Sequence, residues 1–434
     1  MLNIVKNIQE KSNNINLIYF FITLSIILVF YPISSGSAIM GYFGLFYVLI
    51  NYKKILINKM LLSISAFSIW VVISCLATYY NYNNDSSGFL IKELRFFFMF
   101  LMLTIMIQKI PFKNILKIYL TVGAIFIFLG YLEVLTVNSF DCFFKVFRSH
   151  AQNLHLYFDD NVPRLLSISR NTDPNFVAFV IAVLFITIMV YIFYEWITTH
   201  ELNIKYCLYS LLTMIALLLT GSRGGVLVAL FSLFILALII AGIFRQKIVY
   251  KALLLIVILG IFFLGTLTYF LPDNIFVAKI SALFSKSTWQ RGTSEGIRFE
   301  MIGLSFQLLK ENILFGVGPT GFQASSHLPE FYIKSLAAHN FRDPHNFLLS
   351  IGMLSGLPGM CLIIYIIFNS IMNCVKHLKT RITLGDFVVL AWALCFIGTI
   401  PFEYPLQDEC RLVFLNLFFA IVCVYYNKKV YNEK

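Results

Sequence analysis

A single arginine framed by small residues stands between two long apolar runs, in Thr220-Gly221-Ser222-Arg223-Gly224-Gly225. A guanidinium fork pairs naturally with phosphate oxygens. Glycine and serine around it let the backbone bend and offer amide donors to an anion. The plainer reading is a snorkelling arginine in a tight turn, but arginine at membrane depth usually has a functional partner. A second arginine, Arg298, lies in Gly296-Ile297-Arg298-Phe299-Glu300-Met301. It is either another anion ligand or a solvated charge paired with Glu295 or Glu300, an arrangement that adds little stability. Arg291 is a weaker candidate from the same segment. The third cluster is Arg342-Asp343-Pro344-His345-Asn346. Histidine exchanges a proton near neutral pH more readily than any other side chain. Asp343 could orient it, Asn346 could hydrogen-bond a sugar hydroxyl, and Pro344 would fix the approach to the following helix. A helix cap at the membrane interface is the alternative.

Other clusters are less telling. Gly316-Val317-Gly318-Pro319-Thr320-Gly321-Phe322 resembles a phosphate cradle but lacks the Lys-Ser/Thr ending, so it reads as a helix-terminating turn. In Arg170-Asn171-Thr172-Asp173-Pro174-Asn175, Asp173 and Asn175 are suited to capping a helix, and Arg170 or Arg164 could add to a basic site. Lys92, Glu93 and Arg95 fall within an apolar run. They either pair inside the protein or mark where that helix begins. The eight cysteines show neither metal-ligand spacing nor a CxxC pair, and serve as small apolar residues. No metal site is expected.

These residues must be positioned by a membrane bundle. Of the 434 residues 59% are hydrophobic and 12% charged, against about 25% charged in a soluble domain. Roughly twelve apolar runs approach the ~20 residues needed to cross a bilayer, from Leu17–Ile33 to Leu412–Tyr426. The second and seventh, Ala38–Ile50 and Tyr206–Thr220, are short, and the ninth is Ile248–Leu271. The net charge of +12 does not point to nucleic acid, because the basic residues sit in short gaps between runs rather than on a solvated face. With the N-terminus in the cytoplasm, the lysines and arginines near 6–11, 53–59, 109–113, 245–247, 376–381 and 428–434 all fall on that side. The short loops opposite hold one, Arg223, as the positive-inside rule requires. Both termini are then cytoplasmic. No cleavable signal peptide is expected, because the first run lacks a small-residue cleavage site. The whole chain, 1–434, reads as one integral membrane unit with two long outer loops, 138–175 and 272–345. The second contains an amphipathic stretch, Ser294–Asn312, where Ile297, Met301, Leu304 and Leu308 repeat at helical spacing.

An SRG turn, an arginine opening an amphipathic stretch, a GVGPTGF turn and a DPHN entry to a glycine-rich helix follow one another between Phe176 and Gly359. In that order they resemble the bacterial O-antigen polymerase and O-antigen ligase superfamily of membrane glycosyltransferases. The resemblance implies an all-α, GT-C-like polytopic fold in the bacterial inner membrane with a periplasmic active site. It implies glycan transfer from an undecaprenyl-pyrophosphate-linked donor without metal or other cofactor. Arg223 and Arg298 would hold the pyrophosphate, aided by Ser222 and Arg291, and His345 with Asn346 would meet the acceptor hydroxyl. The acceptor would be another lipid-linked repeat unit in a polymerase, which the two Asp-Pro-Asn-like entries favour, or lipid A-core in a ligase. A chain-length regulator is a plausible partner of a polymerase. A flippase or transporter is the reading from another class. It is disfavoured by polar groups gathered on one face and by the lack of a visible repeat.

Overall fold

The computed structural model describes residues 15–31, 34–55, 57–79, 87–135, 158–159, 162–163, 174–220, 222–244, 294–325, 334, 344–400 and 409–425. The expected ninth run, Ile248–Leu271, lies outside the described residues, as do Arg291 and Asp343.

The first five helices are α1 (Ile15–Phe30), α2 (Ser34–Asn51), α3 (Lys59–Thr78), α4 (Ser87–Ile107) and α5 (Phe112–Leu135). A two-residue antiparallel pair, β1 (Phe158–Asp159) with β2 (Val162–Pro163), follows in the first long loop. Then come α6 (Pro174–Thr199), α7 (Ile204–Leu219) and α8 (Arg223–Phe244). The second long loop carries α9 (Ser294–Glu311) and the short α10 (Gly321–Ser325). The chain continues through α11 (Phe347–Leu378), α12 (Leu384–Thr399) and α13 (Glu409–Tyr425). Among the described residues, five stretches are long and apolar enough to span a membrane: Lys59–Thr78, Phe112–Leu132, Asn175–Thr199, Gly224–Ile243 and Phe347–Leu378. Shorter apolar helices accompany them, so the architecture is a helical bundle of polytopic membrane type. The second expected run begins earlier than its apolar core, at Ser34, because Ser34–Ser37 contains no helix breaker stronger than one glycine. Lys92, Glu93 and Arg95 lie inside α4 and do not mark its start. Arg95 covers the Tyr42 ring at 5.7 Å, and Gly41 leaves room for its stem.

The centre of the bundle is α12. Its residues are buried on every face from Gly385 to Phe396, as expected of a helix that is apolar all round. Trp392 anchors it: the indole N–H donates to Thr187 Oγ1 at 2.9 Å, and the ring lies 4.9 Å from Phe414. Helices α6 and α8 flank α12. Near one end of the bundle Phe179 meets Phe396, and Gly398 faces Val228 and Phe231. The starts of α6 and α8 therefore lie with the end of α12.

Helix α11 is broken. Gly356 adopts φ 67°, a left-handed conformation that ends one helical segment, and Pro358, which has no amide hydrogen, follows it. Breaking a membrane helix frees backbone groups that lipid cannot satisfy. Here neighbouring protein satisfies them. The Met353 carbonyl accepts from the amides of Val317 (2.7 Å) and Gly318 (3.0 Å). The Leu357 amide donates to Ile313 O at 2.8 Å, and Trp70 Nε1 on α3 donates to Ser355 O at 2.8 Å. The turn after α9 thus fills the gap in α11. Gly316 (φ 68°) approaches so closely that a Cβ would lie 2.3 Å from Met353 O. The 316–322 stretch does end a helix, since the Gly316 amide caps Asn312 O, and it also docks into the break.

Candidate active site

Three helix starts meet at one end of the bundle. The first two are joined by Ser222, which is buried and precedes α8. Its hydroxyl donates to Asn175 Oδ1 on α6 at 2.8 Å and accepts from the Gly225 amide at 3.3 Å. That second contact satisfies one of the amides that a helix start leaves without a partner. Gly225 is then pressed against α6, where an added Cβ would fall 2.4 Å from Ala178 Cβ. The glycine that follows Gly224 therefore serves close helix packing, a role that spacing alone did not reveal. Pro174 opens α6, where a missing amide hydrogen does no harm. Asn175 engages Ser222 in addition to standing at that helix start. Arg223 is the first residue of α8. Its side chain lies outside the described residues.

The third start is that of α11. Asn346 is its N-cap, with the side-chain oxygen accepting from the Leu349 amide at 3.1 Å. The Phe347 amide donates to Ile400 O at 3.0 Å, which ties this start to the end of α12. Since the start of α8 lies beside the same end of α12, the structure brings Ser222-Arg223 and His345-Asn346 to one end of the bundle. His345 itself has φ 47°. A left-handed conformation costs a residue with a Cβ roughly 1–2 kcal/mol. It persists here between buried Pro344 and the Asn346 cap, both fixed by the Phe347–Ile400 link. The imidazole is half-buried. Sequence favoured Asn346 as a sugar ligand or a cap, and its side-chain oxygen is engaged as a cap.

Arg298 lies in the first turns of α9. Ile297, Met301, Leu304 and Leu308 are buried against Val317, Phe322 and Met353, so α9 packs on the first segment of α11, the one that begins beside His345. Arg298 follows Ile297 on this helix and is half-buried. Phe299 and Phe306, on the other face, are exposed. Among the described residues no group of histidine, cysteine or acidic side chains could hold a metal.

The chemistry open to this end of the bundle is anion binding with proton exchange. Parallel helix starts at Pro174, Arg223 and Phe347 present amide hydrogens and partial positive charge in one region. A histidine in a fixed backbone conformation stands among them. Residues 208–364 match the family model described as O-antigen ligase. No curated protein matches the chain. The matched segment takes in the Ser222-Arg223 helix start, Arg298 on α9, the turn docked into α11 and the His345-Asn346 cap. That domain supports the likeness of residues 208–364 to the O-antigen ligase and polymerase superfamily.

Proposed function

We propose that the protein is a surface-polysaccharide polymerase, transferring glycan from an undecaprenyl-pyrophosphate-linked donor to a lipid-linked repeat unit. The observation that carries this reading is the convergence of the Ser222-Arg223 and His345-Asn346 helix starts at one end of a membrane bundle. Arg223 and Arg298 balance the charge that grows on the departing pyrophosphate. Preorganised donors of this kind are worth about 3–4 kcal/mol each. In the reaction the bond from the donor's anomeric carbon to the pyrophosphate oxygen breaks. A bond from the acceptor hydroxyl oxygen to that carbon forms, and the hydroxyl proton passes to His345. The lipid pyrophosphate leaves with the bonding electron pair, so no nucleotide is consumed and no metal is called for. The site faces the periplasm, where no ATP is expected.

The ligase reading has one observation in its favour, the description of the family that matches residues 208–364. Donor chemistry is common to both readings and only the acceptor differs. Deleting the gene in its host and resolving surface lipopolysaccharide on a gel separates them. Core bearing a single repeat unit identifies the polymerase. Bare core, with long glycan accumulating on the lipid carrier, identifies the ligase. An unchanged ladder overturns both.

A further inference from the structure

At the end of the bundle remote from His345, two adjoining cavities of about 370 and 380 Å³ open where the α4–α5 turn, the α11–α12 turn and the ends of α6 and α13 come together. They share Lys113, Tyr194 and Tyr425. The first is bordered by Lys113 and Arg381, both with exposed side chains, above an apolar wall of Ile107, Ile110, Ile421 and Val424. The aliphatic wall is the buried edge of the core, and the two cations above it stand apart from the candidate active site.

The walls are held in place. The Tyr425 hydroxyl lies 2.6 Å from Thr383 Oγ1, and the Tyr425 ring packs so tightly on Gly385 that a Cβ there would overlap it. Thr383 caps α12 and donates to Asp386 at 2.5 Å. Asp386 is fully buried, turned inward towards His377 at 3.5 Å, and contributes no carboxylate to the cavity lining. One acidic residue, Glu195, lines the second chamber and disfavours a ligand with more than one negative charge. On the α4–α5 turn Lys109 lines neither cavity. Burial, and then the charge of Lys54, depress its ammonium below the usual lysine range. Tyr191, tilted against Tyr206 with ring centroids 4.3 Å apart, joins Tyr194 and Tyr425 in an aromatic group of the kind found at headgroup level.

We infer that this cavity binds a membrane phospholipid, its singly charged phosphodiester between Lys113 and Arg381 and its acyl chains along Ile107, Ile421 and Val424. The full-length protein in detergent, stripped of lipid, tests this by native mass spectrometry and thermal unfolding. The probes are phosphatidylglycerol, diacylglycerol with the same chains, and free glycerol phosphate. Phosphatidylglycerol should be retained and should raise the unfolding temperature, while the other two do neither. Lys113→Gln and Arg381→Gln should each weaken retention roughly fivefold. Lys117→Gln, an exposed lysine on the same helix that does not line the cavity, should leave it unchanged. Equal binding of diacylglycerol, or equal loss with Lys117→Gln, overturns the site. Stabilisation by glycerol phosphate alone makes it a free-anion site and overturns the lipid assignment.

Discussion

The Ser222 hydroxyl donates to Asn175 across 2.8 Å and joins the starts of two helices that stand 47 residues apart in sequence. The same oxygen accepts the Gly225 amide, so one hydroxyl both caps α8 and fixes α8 against α6. Ser222→Ala should lower stability by about 1–2 kcal/mol. Ser222→Thr should recover most of it, as read by thermal unfolding in detergent. Gly225→Leu should be worse than either, because its side chain must enter space held by Ala178.

The contact between the 316–318 turn and the break in α11 makes a second prediction. Gly316→Ala combines an unfavourable left-handed conformation with an overlap on Met353 O, and Gly356→Ala does the same on Leu314 O. Each should destabilise by about 1–3 kcal/mol. The double variant should fall short of the sum, because the first substitution already separates the two segments. A strictly additive pair would show that the turn and the break are independent.

His345 allows stability and activity to be pulled apart. His345→Gly relieves the left-handed strain and should raise the unfolding temperature, whereas His345→Ala keeps the strain. Both remove the imidazole and should lower transfer by about 10²–10⁴-fold. Transfer measured on purified lipid-linked donor decides whether the residue moves a proton. An His345→Gly protein of normal activity would rule that out.

For the arginines, Arg223→Ala and Arg298→Ala should each reduce turnover by about 10²–10³-fold with the protein still inserted at normal levels. Arg298→Lys should recover only part of the loss, since an ammonium cannot reproduce a bidentate contact. Lys117→Gln, an exposed lysine that lines neither cavity, is the control and should leave turnover intact.

With these charges in place of a cation, transfer should persist after exhaustive treatment with EDTA. A loss restored by added magnesium would reassign the neutralising charge from arginine to metal.

Much of this arrangement could be read from sequence where the signal is local. The helical spacing of Ile297, Met301, Leu304 and Leu308 located α9 and its buried face within a residue or two. At Asn346 the spacing suggests a sugar ligand with a helix cap as the alternative, and the cap is what its side-chain oxygen forms. What escaped depends on partners far along the chain. Nothing near Gly225 announces Ala178, and nothing near Gly316 announces the Met353 carbonyl. The broken helix had a local sign, Gly356-Leu357-Pro358 inside an apolar run, but not the indole of Trp70 that donates to one of its carbonyls. The short strand pair was hidden for a simpler reason: two residues a side are too few to show alternation. The side chains of Arg223 and Arg291 lie outside the described residues.

The discontinuity at Gly356 also divides the mechanics of the molecule. The segment of α11 that starts beside His345 is bonded through Met353 to the turn after α9, and it meets the rest of its own helix across a glycine in an irregular conformation. The histidine-bearing segment and the arginine-bearing helix are therefore coupled through the Met353 carbonyl. A ligand that pulls on Arg298 would load that same segment, which the Phe347–Ile400 and Trp70–Ser355 bonds brace against the rest of the bundle.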